Sequence, residues 1–277
     1  MNRPYAEVIG DPIAHSKSPL IHGFWLKKLG IDADYRTCHV RPEDLAGYFT
    51  RRREDAHWRG CNVTIPHKEN VGSLLDLLDG KAEAIGAVNT IYKDERDRLA
   101  GTNTDIDGVN EALTGLDLSG QEVCVIGAGG AARAAFAALA QRDCAAVHIL
   151  ARSPDKAVKA AEGSGVFAVG VKLEAGTPAF SEAKLLINAT QLGMVGQERM
   201  PGYLLSELDE LAEGALVFDM VYAPLETDLL AAARRKGIRA VDGLTMLIGQ
   251  AAVAFERFFG HPAPRQHDAE LRRLLTS

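Results

Sequence analysis

An excess of basic residues, long apolar runs and closely spaced cysteines are all missing from this sequence of 277 residues. The 31 Lys and Arg residues are outnumbered by 37 Asp and Glu residues, which gives a formal net charge of −6. Without an overall positive field, nucleic acid and membrane surfaces are disfavoured as partners. No stretch approaches the ~18 consecutive apolar residues of a membrane span, and the N-terminus lacks the apolar segment of a signal peptide. We therefore expect a cytoplasmic protein.

The four cysteines lie far apart, and none belongs to a CxxC pair. This spacing disfavours zinc and disulfide frameworks, so we interpret these residues as buried small hydrophobic side chains: Cys38, Cys61, Cys124 and Cys144. The eight histidines include no HExxH motif and no cluster with carboxylates at ligand spacing. We expect no protein-bound metal.

A length of 277 residues favours two domains, since ~100–200 residues per domain is usual. The first hundred residues alternate β-rich runs with helical patterns, which predicts an α/β domain with a mostly parallel sheet. The predicted strands are Tyr5–Gly10, Tyr35–Val40 and Cys61–Ile65, and the predicted helices are Pro19–Leu29, Pro42–Arg53 and Glu69–Leu78. Ser18 is the expected N-cap, with Pro19 at the first helical position and Gly30 at the left-handed C-terminal position.

A polar segment with two glycines, residues 101–108, marks the first boundary near Asp105. Beyond a helical stretch to Leu116, the pattern predicts a second doubly wound sheet. Its strands are Glu122–Ile126, Val147–Leu150, Lys184–Asn188, Leu216–Met220 and Arg239–Val241, and its helices are Ala132–Ala140, Asp155–Glu162 and Thr227–Lys236. Two final helices, Met246–Phe259 and Asp268–Leu275, have no strand between them and need a partner surface, which we expect the first domain to provide. The predicted division is 1–104, 105–243 and 244–277.

A glycine-rich turn follows an apolar strand directly and precedes an alanine-rich helix, which is the context of a Rossmann dinucleotide-binding loop. The turn comprises Gly127, Ala128, Gly129, Gly130, Ala131 and Ala132. Gly127 allows a tight turn, Gly129 allows the backbone to approach a pyrophosphate, and Ala132 allows close helix–strand packing. The alternative is a glycine turn that binds nothing.

Arg152 follows the next predicted strand, where an NAD enzyme usually has Asp or Glu for the ribose 2′-hydroxyl. A guanidinium binds a 2′-phosphate, Ser153 supplies a hydroxyl, and Lys156 adds a second positive charge. These residues favour NADP over NAD. The alternative is an exposed basic helix start.

Short hydroxyl and amide side chains follow the strands of the first domain, in residues 16–18, 62–68, 87–90 and 103–105. Such groups both donate and accept hydrogen bonds, which suits a small, polyhydroxylated, anionic substrate. At the carboxyl ends of the strands of an open α/β sheet, they are expected to converge on the ligand crevice.

These segments resemble the motifs of the shikimate dehydrogenase family. HSKSPLIH resembles the family's SxSPxxH, NVTIPHK its NVTxPxK, GAVNT its AVNT, GTNTD its NTD, and GAGGAAR its glycine loop. INATQLGM, FDMVYAPLETDLL and DGLTMLIGQAAVAF resemble later landmarks of the same family. The resemblance implies an NADP-dependent reduction of 3-dehydroshikimate to shikimate, in the pathway to chorismate and the aromatic amino acids. It leaves a homodimer possible.

The resemblance also implies roles for individual residues. Lys68 is the implied acid–base or electrostatic group, and Asp105 is implied to pair with it and orient it. Ser16 and Ser18 are implied to bind the substrate carboxylate. The ring hydroxyls are assigned to Asn62, Thr64, Asn89 and Gln250, with Tyr222 on the carboxylate side. The nicotinamide side is assigned to Asn188, Ala189, Thr190, Met220 and Gly243.

Four departures from the family pattern leave every implied catalytic group in place. Gly23 stands where Asn is usual, and Ile106 stands where Gly is common. FERFFG replaces a helix end that usually contains tryptophan, and Ala151 replaces the usual Asn before Arg152. The second basic residue is Lys156, which lacks the fork geometry of arginine. Two alternatives remain, an NAD-preferring quinate/shikimate dehydrogenase and a non-catalytic protein that senses NADP(H) or a shikimate-like ligand. Thr64 and Arg152 argue against the first, and Lys68 with Asp105 argues against the second.

Overall fold

The structure, a computed structural model, describes residues 3–276. The chain divides into two compact units. Unit 1 comprises the chain up to Thr104 together with the segment from Ile248 onward, and unit 2 is Asp105–Leu247. The second crossing lies inside the helix Gly243–Phe259, a few residues later than the predicted boundary after Gly243. Within residues 3–276, no helix is both long and apolar enough to cross a bilayer.

Unit 1 contains a six-stranded sheet in the order β2-β1-β3-β5-β6-β4. The strands are β1 (Tyr5–Gly10), β2 (Asp34–His39), β3 (Trp58–Val63), β4 (Leu77–Leu78), β5 (Thr90–Lys93) and β6 (Leu99–Thr102). Within this sheet β5 pairs antiparallel with both β3 and β6, while the remaining pairs are parallel. The helices before the second unit are α1 (Ser18–Leu29), α2 (Leu45–Arg53) and α3 (Gly80–Ile85). The predicted mostly parallel α/β sheet is confirmed.

Both faces of this sheet are covered, as the burial of β1 requires. Ala6 and Tyr35 are register partners on one face, and there the ring of His22 from α1 stacks on Tyr35. The next residue, Glu7, points to the other face because strand side chains alternate. On that face Tyr48 and Arg52 of α2 donate hydrogen bonds to the Glu7 carboxylate at 2.7 and 2.6 Å.

Several sequence predictions for unit 1 were wrong. The predicted helix Glu69–Leu78 is a single 3-10 turn, Val71–Leu74, followed by β4. The elements α3, β5 and β6 were not predicted, and the helix expected from Pro42 begins as a 3-10 turn. Ser18 is already the first residue of α1: Lys17 occupies the N-cap position and no side chain caps the helix. Gly30 does adopt the predicted left-handed conformation, with φ of 65°.

Unit 2 contains a parallel six-stranded sheet in the order β12-β11-β10-β7-β8-β9, the doubly wound arrangement. Its strands are β7 (Glu122–Ile126), β8 (Ala146–Ala151), β9 (Ala168–Lys172), β10 (Leu185–Asn188), β11 (Leu216–Asp219) and β12 (Arg239–Val241). Its helices are α4 (Asp105–Ala112), α5 (Gly130–Leu139), α6 (Pro154–Ala161), α7 (Gly202–Ser206) and α8 (Asp228–Arg235). The predicted Rossmann sheet is confirmed, with β9 and α7 as additions.

The C-terminal helices are α9 (Gly243–Phe259) and α10 (Asp268–Thr276). As predicted, the segment from Ile248 onward packs in unit 1. The ring of Phe255 meets the ring of Trp25 from α1 at 5.4 Å between centroids, and Glu270 of α10 forms an ion pair with Lys28 at 2.7 Å. Apolar contact and charge together attach the tail to α1.

The cysteines are free thiols, but only two follow the prediction of full burial. Cys61 and Cys124 are buried, whereas Cys38 and Cys144 are partly exposed, so the prediction was wrong for these two. Burial raises the pKa of all four thiols. Among residues 3–276, no three His, Cys, Asp or Glu side chains are grouped as a metal site would need.

Candidate active site

Five buried polar side chains form a continuous network at one edge of the unit 1 sheet. We call Asn62, Asn89, Thr90, Thr104 and Gln250 the amide–hydroxyl network. Asn62 Nδ2 donates to Thr90 Oγ1 at 2.9 Å, and Thr90 Oγ1 donates to Asn89 Oδ1 at 2.9 Å. Asn89 Oδ1 also accepts from the Thr104 backbone N–H at 2.7 Å, and Thr104 Oγ1 lies 3.3 Å from Gln250 Oε1. Three predicted substrate-binding residues thus come together.

Within this network, Asn89 is the member with an uncommitted donor. Its Oδ1 is occupied, but within residues 3–276 its Nδ2 donates to no protein atom. The Thr64 hydroxyl, on a half-buried side chain just after β3, likewise makes no hydrogen bond to a described protein atom. These two groups are therefore available to hydroxyl groups of a ligand.

Asn62 is held differently, because its side-chain amide is already used within the protein. Its Nδ2 donates to both Thr90 Oγ1 and the Asn89 backbone carbonyl, and its Oδ1 accepts from Tyr35 Oη at 2.6 Å. Burial raises the pKa of Tyr35 well above its usual value, so the hydroxyl stays protonated and donates. One lone pair of Asn62 Oδ1 remains for a ligand hydroxyl. Tyr35 is therefore a positioning residue for Asn62.

Replacing Tyr35 with phenylalanine should raise KM for the substrate and lower the free energy of unfolding by about 1–2 kcal/mol, because a buried acceptor loses its donor. Steady-state kinetics and denaturant unfolding measure the two effects. The matched control is Tyr48→Phe, which removes an equally buried hydroxyl bonded to Glu7. That variant should lose stability with KM unchanged. Equal KM values for both variants would show that Tyr35 does not position Asn62.

The segment after β3 brings Lys68 to this edge. Thr64 N donates to the Ile9 carbonyl at 3.0 Å, and the Lys68 carbonyl accepts from Val88 N at 2.8 Å. His67 lies between these two residues in sequence. Its ring is buried, and its Nε2 forms a hydrogen bond with the Val40 carbonyl oxygen at 2.7 Å. The segment is thereby held at three points, two through its backbone and one through the His67 ring, and Lys68 itself is half-buried.

The start of α1 carries the predicted carboxylate-binding serines. Ser18 N donates to Ser16 Oγ at 3.3 Å, which makes a local turn of the segment. Ser18 is buried and Ser16 is half-buried. The first N–H groups of α1 are used within the segment, since Leu20 N donates to the Lys17 carbonyl at 3.1 Å, so the helix offers an anion its positive dipole end and the two serine hydroxyls.

The sequence predicts the segments that contain His67, Thr90 and Thr104 as part of the ligand crevice, but it gives these three residues no individual role. Tyr35 lies outside every segment predicted for the crevice. No motif indicates it, because it acts through a contact distant in sequence.

In unit 2, the glycine loop has the geometry that its sequence predicts. Gly127 has φ of 102°, and a Cβ built there would lie 2.6 Å from Thr190 Cγ2, so only glycine fits. Ala132 is fully buried, as close helix–strand packing requires. Gly129 is the N-cap of α5 without a side-chain cap, which leaves the first N–H groups of the helix available to an anion.

The loops after β10 and β11 are tied together by a buried carboxylate. Asp219 accepts hydrogen bonds from Asn188 Nδ2, Val221 N and Thr227 Oγ1 at 2.9, 3.0 and 2.6 Å. Asn188 Oδ1 in turn accepts from Thr190 N and Oγ1. Asn188 is fully buried with its amide satisfied, so its side chain supports the loop that carries Ala189 and Thr190. The sequence motifs indicate no role for Asp219 or Thr227.

Met220 and Gly243 lie against each other, and a Cβ at Gly243 would clash with the carbonyl oxygens of Met220 and Val221, the latter at 2.7 Å. Neighbouring Tyr222 is 40% exposed. β10 and β7 are adjacent central strands of a parallel sheet. The loops after β10 and β11 and the glycine loop after β7 therefore lie at the same edge of the unit 2 sheet, at the position where the strand order reverses.

Arg152, Ser153 and Lys156 are exposed at the start of α6. Ser153 is the N-cap and makes no side-chain capping bond, so its hydroxyl remains uncommitted to the helix. Two positive side chains thus flank a helix N-terminus, which is a favourable environment for a phosphate.

Three family models match the chain in order. They are the Shikimate dehydrogenase substrate binding domain over residues 8–91, Shikimate / quinate 5-dehydrogenase over 109–200 and the Shikimate 5′-dehydrogenase C-terminal domain over 243–270. The Shikimate dehydrogenase (NADP(+)) of Sphingopyxis alaskensis is 51% identical over 274 residues, covering 99% of this chain and 97% of the relative. The chain belongs to the shikimate dehydrogenase family.

Two solved structures of the family extend the comparison. The shikimate 5-dehydrogenase of Thermus thermophilus, in complex with NADP(H) and shikimate, matches with TM-score 0.84 and 35% identity, covering 98% of this chain and 99% of that one. The enzyme of Listeria monocytogenes, in complex with shikimate and NAD, matches with TM-score 0.86 and 31% identity, covering 99% and 96%. The fold is therefore that of shikimate dehydrogenases over the whole chain.

The residues present fit a dinucleotide cofactor. A Cβ at Gly129 or Gly130 would meet no atom within 4 Å, so the space above the loop is open where a pyrophosphate would lie. The positive groups at α6 follow the neighbouring strand β8, the usual position for recognition of the adenosine ribose. No carboxylate occupies the position of Arg152, which suits a phosphorylated ribose.

Proposed function

We propose that this member of the family is an NADP-dependent shikimate dehydrogenase, which reversibly reduces 3-dehydroshikimate to shikimate in the pathway to chorismate and the aromatic amino acids. The observation that carries the proposal is 51% identity to a shikimate dehydrogenase (NADP(+)) over nearly the full length of both chains. The amide–hydroxyl network and the glycine loop agree with it, because a polyhydroxylated acid and a dinucleotide need these two kinds of group.

In this proposal unit 1 binds the substrate. Ser16 and Ser18 hold the carboxylate at the start of α1. The uncommitted donors of Thr64 and Asn89 hold ring hydroxyls, with Asn62 and Gln250 accepting from them. Tyr222, which belongs to unit 2, is assigned to the carboxylate side on the family resemblance alone. The support comes from donor availability and burial on the unit 1 edge.

Lys68 and Asp105 are the proposed catalytic residues. When bound, NADP carries the hydride between its nicotinamide and the substrate carbon that bears the reacting oxygen. During reduction, the Lys68 ammonium stabilises the charge developing on that oxygen and gives it a proton. Asp105, which follows Thr104 directly in the chain, orients the ammonium and relays to Lys68 the proton that is regained from solvent. Lys68 is well placed for this role because its backbone is anchored on the donor-rich edge.

In unit 2, we assign cofactor binding to three groups of residues. The pyrophosphate lies on the glycine loop, Gly127 to Ala132. The 2′-phosphate is bound by Arg152, Ser153 and Lys156. The nicotinamide is lined by the segment of Ala189, Thr190 and Met220, with Asn188 and Gly243 shaping it. The hydrogen bonds around Asp219 support this assignment, because they make the loops rigid before the cofactor arrives.

The two dissolved small molecules of this reaction fit a cytoplasmic location, which stays a prediction, as does a homodimer. The direct test of the function is shikimate-dependent reduction of NADP by the purified chain. Steady turnover, with the reverse reaction on 3-dehydroshikimate and NADPH, is expected. Tight binding of either ligand with no turnover would instead favour the non-catalytic sensor.

A further inference from the structure

The last residue of β9, Lys172, lies beside the start of α6, although it is far from that helix in sequence. In the parallel pair of β8 and β9, Lys172 is the register partner of Ala151, the residue before Arg152. The next residue, Leu173, donates its N–H to the Ala151 carbonyl at 3.1 Å. Lys172 and Arg152 therefore leave adjacent strands at the same carboxyl edge.

Gly170 shows which face of β9 Lys172 occupies. A Cβ at Gly170 would lie 2.7 Å from the Pro154 carbonyl oxygen, so this face of β9 packs against the first residue of α6. Side chains two residues apart on a strand share a face, and Lys172 lies about 7 Å further toward the carboxyl edge. The Lys172 side chain thus leaves β9 on the face that α6 covers, and the first turn of α6 carries Lys156.

Ala151 offers no side-chain donor at the position next to these charges. Because register partners in a parallel pair point to the same face, the Ala151 methyl group and the Lys172 side chain lie side by side. The small residue leaves the Lys172 side chain room to lean toward Arg152.

The present partner of Lys172 is a weak one. Its Nζ lies 2.8 Å from Glu174 Oε2, and the two side chains are 68% and 56% exposed. Exposed ion pairs contribute little to stability, so a doubly charged phosphate displaces Glu174 readily. The carboxylate keeps the lysine near the edge and competes with the incoming anion.

We infer that Lys172 is a third cation of the 2′-phosphate site, beside Arg152 and Lys156, and that Glu174 is its competitor. This inference rests on the proposed function, since it assumes that the chain binds NADP through α6. Lys172 acts as a specificity-determining residue: it stabilises a 2′-phosphorylated ribose and gains nothing from an unphosphorylated one.

The test is isothermal titration of the full-length chain with 2′,5′-ADP and with 5′-AMP. Lys172→Ala should weaken binding of 2′,5′-ADP by roughly fivefold and leave binding of 5′-AMP unchanged, since one exposed charge contact is lost. Lys172→Arg should retain the affinity. Glu174→Gln should tighten binding of 2′,5′-ADP by roughly twofold, because the competing charge is removed.

The matched control is Lys236→Ala, which removes an ion-paired lysine that precedes β12 at the opposite, amino end of the sheet. It should leave both affinities unchanged. If the ratio of the affinities for 2′,5′-ADP and 5′-AMP is the same in Lys172→Ala as in the wild type, the role of Lys172 alone is overturned. If the wild type itself binds 2′,5′-ADP no more tightly than 5′-AMP, both the role of Lys172 and the NADP preference of the proposed function are overturned.

Discussion

Replacing Lys68 with alanine should lower kcat by about 10²–10⁴-fold, the range typical of general acid–base groups. The variant keeps the backbone contact between the Lys68 carbonyl and Val88 N, and it leaves the amide–hydroxyl network intact. Substrate affinity should therefore remain measurable while turnover collapses. Steady-state rates together with titration of shikimate onto the NADP-loaded protein separate the two quantities.

The control for this experiment is Lys81→Ala, which removes another half-buried lysine of unit 1, on α3. It should retain the kcat of the unmodified chain. A Lys68→Ala variant that also retains it would remove the proposed acid–base role. Circular dichroism and the unfolding midpoint of Lys68→Ala show whether the variant is folded, and so whether a lower kcat reflects lost chemistry or lost structure.

Acidification should destabilise this protein partly through His22, a histidine inside an aromatic cluster. Its ring is fully buried and stacks on Tyr35 at 4.0 Å between centroids, and neither ring nitrogen has a hydrogen-bond partner among residues 3–276. Burial lowers the pKa of His22 to about 3. The unfolded chain takes up a proton on this histidine below its ordinary pKa of ~6.5, whereas the folded protein does not until about pH 3.

The contribution of neutral His22 to stability is therefore fully present above about pH 6.5 and is lost as the pH falls toward 3. Between about pH 7 and pH 5, this linkage removes about 2 kcal/mol from the free energy of unfolding. His22→Phe keeps a stacked ring and removes the titrating group. The free energy of unfolding of the variant should fall about 2 kcal/mol less than that of the wild type over the same interval.

Urea unfolding at the two pH values measures this difference, and Trp25→Phe is the matched control. Trp25 lies in the same cluster, 5.7 Å from His22 between ring centroids, but it does not titrate. That variant should be less stable at both pH values and retain the wild-type pH dependence. If His22→Phe showed that same dependence, His22 would not stay neutral in the folded protein.

Predictions of helices and strands from the sequence were most accurate where the local pattern and the tertiary structure agree. The strand, glycine turn and helix of residues 122–139 satisfy a short-range rule at every position, and they appear in the structure with shifts of one or two residues. The error at Glu69–Leu78 has the opposite cause. Apolar residues there recur at helical spacing, but Leu77 and Leu78 pair with β6 instead, and Gly72 weakens the helix. Tertiary pairing decides such short segments.

The candidate site shows the same limit at the level of side chains. Motifs predicted Asn62, Asn89 and Gln250, because each lies in a recognisable segment. They could not predict Tyr35, which lies on β2, two strands away from β3, and reaches Asn62 across β1. Nor could they show that the amides of Asn62 and Asn188 are used within the protein. Such information depends on strand order and on contacts between distant segments.

The central claim is that this chain is an NADP-dependent dehydrogenase with narrow specificity for shikimate. Its most direct test is a four-way comparison of kcat/KM for shikimate or quinate, each with NADP or NAD. The pair of shikimate with NADP should be fastest, because the proposed roles give Arg152 and Lys156 to the 2′-phosphate and the donors of Thr64 and Asn89 to the shikimate hydroxyls. Faster oxidation of quinate with NAD would contradict the account and indicate a quinate/shikimate dehydrogenase instead.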